Sequence, residues 1–116
     1  MNSKIDLSYL EEVTGGNTDI IKEMLELFLS ETPQQIQLIQ EKCKLKEWQG
    51  VSAEAHKLKP TFLYVGLQES NEKLTKIEHG ARNNQNLDEL IELINSVERE
   101  FNSTKPEVKA LILKFS

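Results

Sequence analysis

The chain is poor in several things at once: one cysteine, three prolines, five glycines and 6% aromatic residues in a length of 116. A single thiol, Cys43, cannot close an internal disulfide. So few glycines and prolines, with 38% hydrophobic and 28% charged residues, exclude a fibrous or low-complexity chain and describe an ordinary globular one. No apolar run approaches the roughly eighteen residues of a membrane span; the longest candidate is the short ALIL near the end. The opening MNSKIDLSYL lacks the apolar stretch of a signal peptide. Together with the unpaired Cys43, this sets the expectation of a reduced, cytoplasmic location.

Basic charge is also lacking. The 14 lysines and arginines are outnumbered by 19 acidic residues, for a formal net charge of −5 and a pI near 5.1. The lysines are scattered, so neither nucleic acid nor an acidic membrane surface is expected as a partner. There is no phosphate-binding loop, since Gly15-Gly16 is followed by Asn17-Thr18-Asp19 without the lysine such a loop needs. ATP binding and kinase activity are therefore not expected, and neither is a bound cofactor. Cys43, His56 and His79 match no common zinc spacing, and no cluster of carboxylates is built to hold magnesium.

What the chain does have is helical periodicity. One domain spanning residues 1–116 can remove roughly two thirds of its unfolded surface from water, enough for one core. Ile5, Leu7, Leu10 and Val13 make a short leading helix that Gly15-Gly16 breaks. Asn17 or Thr18 then caps a helix with Ile20, Met24, Leu27 and Phe28 on one face, ending near Ser30 or Glu31. Thr32-Pro33-Gln34-Gln35 reads as a stop followed by a capping box, opening a helix that carries Ile36, Ile39 and Cys43 inward. Val51, Ala55, Leu58, Phe62 and Val65 form the next stripe, with Gly66 near its end and Trp48 packing at its start. Leu67, Leu74, Ile77 and Ala81 follow, closed by His79-Gly80, the histidine favouring the dipole of a helix end. After a loop ARNNQN, Asn86 with Glu89 opens a last helix bearing Leu87, Leu90, Ile94, Val97 and Phe101, which Pro106 kinks or ends. The expected fold is all-α: an antiparallel up-down four-helix bundle with the short N-terminal helix packed over one end.

The stretch EAHKLKPTFLYVGL, residues 54 to 67, holds the candidate chemistry. With the stripe of Val51, Ala55, Leu58, Phe62 and Val65 set near zero, a turn of about 100° per residue puts His56 at about 140°, off the core face. Its neighbours on the helix surface are Ser52, Ala53, Lys59 and Pro60, with Leu63 a turn further. Small neighbours leave a side chain open to a large partner, and an exposed leucine gives that partner an apolar foothold. A lone exposed histidine carries little meaning by itself; the residues around it are what distinguish this one.

AHKLKPTFLYVGL resembles the signature of histidine phosphotransfer (HPt) domains, helical bundles that relay phosphoryl groups in two-component signalling. That family has a histidine, a leucine two residues on, a lysine three on, then a small residue, and a glycine ten after the histidine; here these are His56, Leu58, Lys59, Pro60 and Gly66. The likeness extends over about residues 5 to 80, including DLSYLEEVTGGNTDIIKEMLELFLSETP and KEWQGVSAEAH. Two positions depart from it: Pro60 replaces the usual glycine and Thr61 the frequent serine.

The resemblance implies a phosphorelay intermediate, not an enzyme with its own kinase activity. Its phosphoacceptor would be His56, with Lys59 meeting the negative phosphoryl oxygens, and its partners would be response-regulator receiver domains and a hybrid sensor histidine kinase. Ser52, Ala53, Pro60 and Leu63 would then form the docking surface. Magnesium would be held by the receiver, and the chain is expected to act as a monomer. Lys57, about 100° around the helix, reads as a solvated charge. The competing reading is a helical adaptor that binds a partner protein with no chemistry at His56.

Overall fold

A computed structural model of the chain describes residues 5–116 and contains five α-helices: α1 (Ser8–Thr14), α2 (Thr18–Lys44), α3 (Trp48–Tyr64), α4 (Gln68–Asn83) and α5 (Leu87–Lys114). There is no strand among the described residues. The four longer helices alternate in direction through short turns. Each packs on the next and α2 packs on α5, closing a four-helix bundle, while α1 lies against α2 and α3. The architecture is the expected one.

The stripe on α2 shows why one helix forms where a break was expected. Ile21, Leu25, Phe28, Thr32, Ile36, Ile39 and Cys43 recur every three or four residues and all are buried. That phase runs straight across Pro33, so continuing the helix buries both halves against one core. Pro33 itself lies on the exposed face, where water can meet the carbonyl that the ring leaves without a donor. The expected face was out of phase in the first half: Ile20 and Leu27 are exposed, and Ile21 and Leu25 fill the core. Asn17 caps the helix as expected, its side chain accepting from the Ile20 amide at 3.1 Å.

Two other helices outrun their expected ends for the same reason. α4 continues through His79 and Gly80 to Asn83, and the left-handed residue that closes it is Asn84. Gly80 serves inside the helix as a close-approach point, since a side chain there would fall 2.9 Å from the Gln85 carbonyl and 3.0 Å from Leu90. His79 is thus an exposed residue of the helix body and not its terminal dipole partner. α5 continues through Pro106, again on an exposed face, because Thr104 and Val108 keep the buried phase on either side. Asn86 precedes α5 in a left-handed conformation and makes no side-chain cap bond, so the expected capping box does not form.

α2 and α5, at 27 and 28 residues, are much longer than α3 and α4, at 17 and 16. The leading segment packs beside the turn where the shorter pair ends. Leu10 is fully buried, whereas Val13, expected on the same face, is exposed. The Asp6 amide donates to the Val65 carbonyl at 3.0 Å, and Tyr9 stacks on Tyr64 with ring centroids 5.8 Å apart. This approach requires glycine at position 66: its φ is 77°, and a Cβ there would lie 2.6 Å from the Asp6 carbonyl oxygen. Phe28 meets both Phe62 and Phe101 edge-on, at 5.5 and 5.1 Å, joining α2, α3 and α5. Burying each such side chain contributes about 1.5–3 kcal/mol.

Candidate functional site

Helix α3 turns Val51, Ala55, Leu58 and Phe62 into the core. His56 follows Ala55 and therefore stands on the shoulder of the helix, its side chain 70% exposed. Ala53 and Pro60 are exposed beside it, and Leu63 is 39% exposed a turn further on. Ser52 differs from expectation. It is buried in the seam between α3 and α4, and its Oγ donates to the Glu78 carbonyl at 2.9 Å. Facing α4 takes it out of reach of a docking partner, so Ser52 is a seam residue. Lys57, at the surface, pairs with Glu54 at 3.4 Å.

The residue that organises the site is Glu78. On α4 it follows Ile77 of the core stripe, which places its carboxylate at the edge of the core and toward α3. The side chain is only 8% exposed. Its Oε2 lies 2.8 Å from His56 Nδ1, and its Oε1 accepts from Lys59 Nζ at 2.9 Å. One buried carboxylate thus joins the two residues that stand three apart on α3. Burial alone would raise the Glu78 carboxyl; the hydrogen bond and charge of Lys59, then those of His56, outweigh it and hold the group below its usual value.

An ionised carboxylate can only accept, so a neutral His56 ring keeps its proton on Nδ1. That leaves the Nε2 lone pair free, and the ring's exposure leaves it open to an incoming group. Lys59 is held with its stem half-buried and its ammonium group on the same carboxylate that meets the histidine. A fixed tautomer, an accessible nitrogen, a buried anion behind the ring and a cation alongside it together suit nucleophilic attack on an anionic electrophile.

Along α3 toward the α1 end, Met24, Leu27, Phe28, Glu31 and Gln35 of α2 and Thr61 and Tyr64 of α3 line a groove of mixed apolar and polar character. Leu27 on its rim is exposed. Cys43 is buried on its stripe, and burial pushes its thiol up, as for an inert core residue. Among the described residues, no group of three or more histidine, cysteine or acidic side chains could hold a metal ion. No described helix is long and apolar enough to cross a membrane.

The family model for the Hpt domain matches residues 23–105 of the chain, a span that includes α3, α4 and most of α2 and α5. Neither the curated proteins nor the solved structures give a match.

Proposed function

The chain belongs to the Hpt domain family, whose members serve phosphotransfer in two-component systems; on that footing we propose that it relays a phosphoryl group between receiver-domain aspartates through His56. One observation carries the reading: Glu78 ties His56 Nδ1 at 2.8 Å while the ring remains open to solvent. In the forward step the Nε2 lone pair attacks the phosphorus of an aspartyl phosphate on the receiver. The N–P bond forms, the P–O bond to the aspartate breaks, and the carboxylate leaves as an anion. The ring keeps its Nδ1 proton and gains positive charge, which the Glu78 carboxylate offsets. Transfer onward reverses these steps on a second receiver.

Lys59 is placed to meet the phosphoryl oxygens, exchanging part of its contact with Glu78 for them. Magnesium comes with the receiver, and a hybrid sensor histidine kinase supplies the phosphoryl group upstream. Ala53, Pro60 and Leu63 form the docking surface around His56, and the groove beside Tyr64 extends it.

The test is incubation of the chain with a phosphorylated receiver. Acid-labile, base-stable label is expected on the wild-type chain and none on His56→Gln, whose fold should persist because the side chain is largely exposed. Retained label on the variant, or none on the wild type with any receiver of its cell, would overturn the proposal and leave the adaptor reading.

A further inference from the structure

We infer that Asn71 is a positioning residue for the phosphotransfer site, holding the proline-containing turn of α3 so that Lys59 and His56 meet Glu78; this rests on the reading of His56 as phosphoacceptor. Pro60 creates the need. Its nitrogen has no hydrogen, so the His56 carbonyl, four residues back, loses its helical donor, and the ring crowds that carbonyl. The loosened turn is the one that carries both His56 and Lys59, yet α3 runs through it from Trp48 to Tyr64.

A lateral brace for this turn comes from α4. Asn71 Nδ2 donates to the Lys59 carbonyl at 3.0 Å. That carbonyl belongs to the peptide whose nitrogen is Pro60, so the bond fixes the proline's own peptide plane. Asn71 is itself held at both ends: its amide donates to the Leu67 carbonyl at 3.1 Å, and its carbonyl accepts from Thr75 Oγ1 at 3.0 Å. Leu67 in turn is buried in the turn before α4.

Asn71 and Glu78 stand seven residues, about two helical turns, apart and therefore on one face of α4. From that face α4 grips α3 three times: at the Lys59 carbonyl through Asn71, at the Lys59 and His56 side chains through the Glu78 carboxylate, and at Ser52 through the Glu78 carbonyl. The backbone position of Lys59 sets whether its ammonium group reaches Glu78 and the incoming phosphoryl oxygens. Without Asn71, a turn that already lacks one helical bond loses its lateral hold, and Lys59 shifts away from the reacting atoms.

Single-turnover transfer from a phosphorylated receiver tests this, with Asn71→Ala made in three backgrounds: native, Pro60→Gly and Lys59→Ala. In the native background transfer should slow about fivefold, the worth of one neutral hydrogen bond. The Asn71→Ala effect should shrink in the Lys59→Ala background, where the ammonium group is gone and only His56 is left to position, and fall below about twofold with Pro60→Gly, where the helix regains its donor. A merely structural Asn71 would slow all three equally; that result, or an unchanged rate in the native background, overturns the inference. Thermal melts confirm that each variant is folded. Label on the wild type with no such coupling defeats this inference alone, whereas no label on the wild type defeats the phosphotransfer reading beneath it.

Discussion

Glu78 Oε2 sits 2.8 Å from His56 Nδ1 although the two residues are 22 apart in sequence and belong to different helices. The contact turns an exposed histidine on α3 into half of a defined pair, because the helix that supplies the carboxylate also keeps it out of water. The setting of His56 therefore depends on how α3 and α4 are registered, not on α3 alone.

Removing Lys59 tests the charge beside that pair. Lys59→Ala should slow transfer by about 10-fold to 100-fold if one charge-assisted contact to the phosphoryl oxygens is lost. The bundle should remain folded, since no core side chain is touched. Single-turnover kinetics with a phosphorylated receiver measure this, and an unchanged rate would reduce Lys59 to a partner of Glu78 with no role in transfer.

Glu78→Gln separates charge from shape. Its carboxyl lies below the ordinary value of 4.5 in the folded chain, so the unfolded chain binds its proton more readily. The stability this contributes is present above about pH 4.5 and is lost as pH falls through the folded value. Melting temperatures of wild type and Glu78→Gln should therefore differ most at neutral pH and converge on acidification below about pH 4.5. A constant gap down to about pH 3 would show that the carboxylate charge does not hold the seam. Transfer by the variant should be slower, because a neutral amide accepts from Nδ1 without offsetting the ring's developing charge.

Leu63→Glu addresses docking. Leu63 is 39% exposed on α3, so a charge there costs the core little. Receiver binding measured by titration calorimetry should weaken while helical circular dichroism stays unchanged. Undiminished binding would remove Leu63 from the interface.

Gly66→Ala should destabilise the chain by about 1–3 kcal/mol, the cost of a left-handed non-glycine residue, and more if Asp6 is pushed aside. At this chain length that is a drop of several degrees in Tm. The signature that distinguishes a lost N-terminal seat from general loosening is faster amide exchange at Asp6, whose N–H bonds the Val65 carbonyl. Protection at Asp6 equal to wild type would refute it.

The bundle was legible because its stripes are long. Val51, Ala55, Leu58 and Phe62, and Leu90, Ile94, Val97 and Phe101, are both where the sequence places them. Helix ends were less legible, because Pro33, Gly80 and Pro106 carry local stop signals that burial of a continuous stripe overrides. His56 and Lys59 could be picked out from spacing and family likeness on a single helix. Glu78 could not, since its meaning lies in a contact between helices, and one sequence does not reveal their register. The only trace was its position beside Ile77, at the edge of a core stripe where most glutamates would face water. Ser52 was misplaced for the same reason: its angle on α3 was calculable, but the presence of α4 over it was not.

The seat of the leading segment at Val65 and Gly66 also fixes an order of events during synthesis. α1 is made well before α3, against which it packs, so the seat of Asp6 on the Val65 carbonyl waits until the α3–α4 turn has left the ribosome. Until then α2 must form beside a neighbour that has not yet docked on α3. α1 is thus secured only after α3 has been made, and a substitution at Gly66 would act on a nascent chain well after the segment it disturbs was translated.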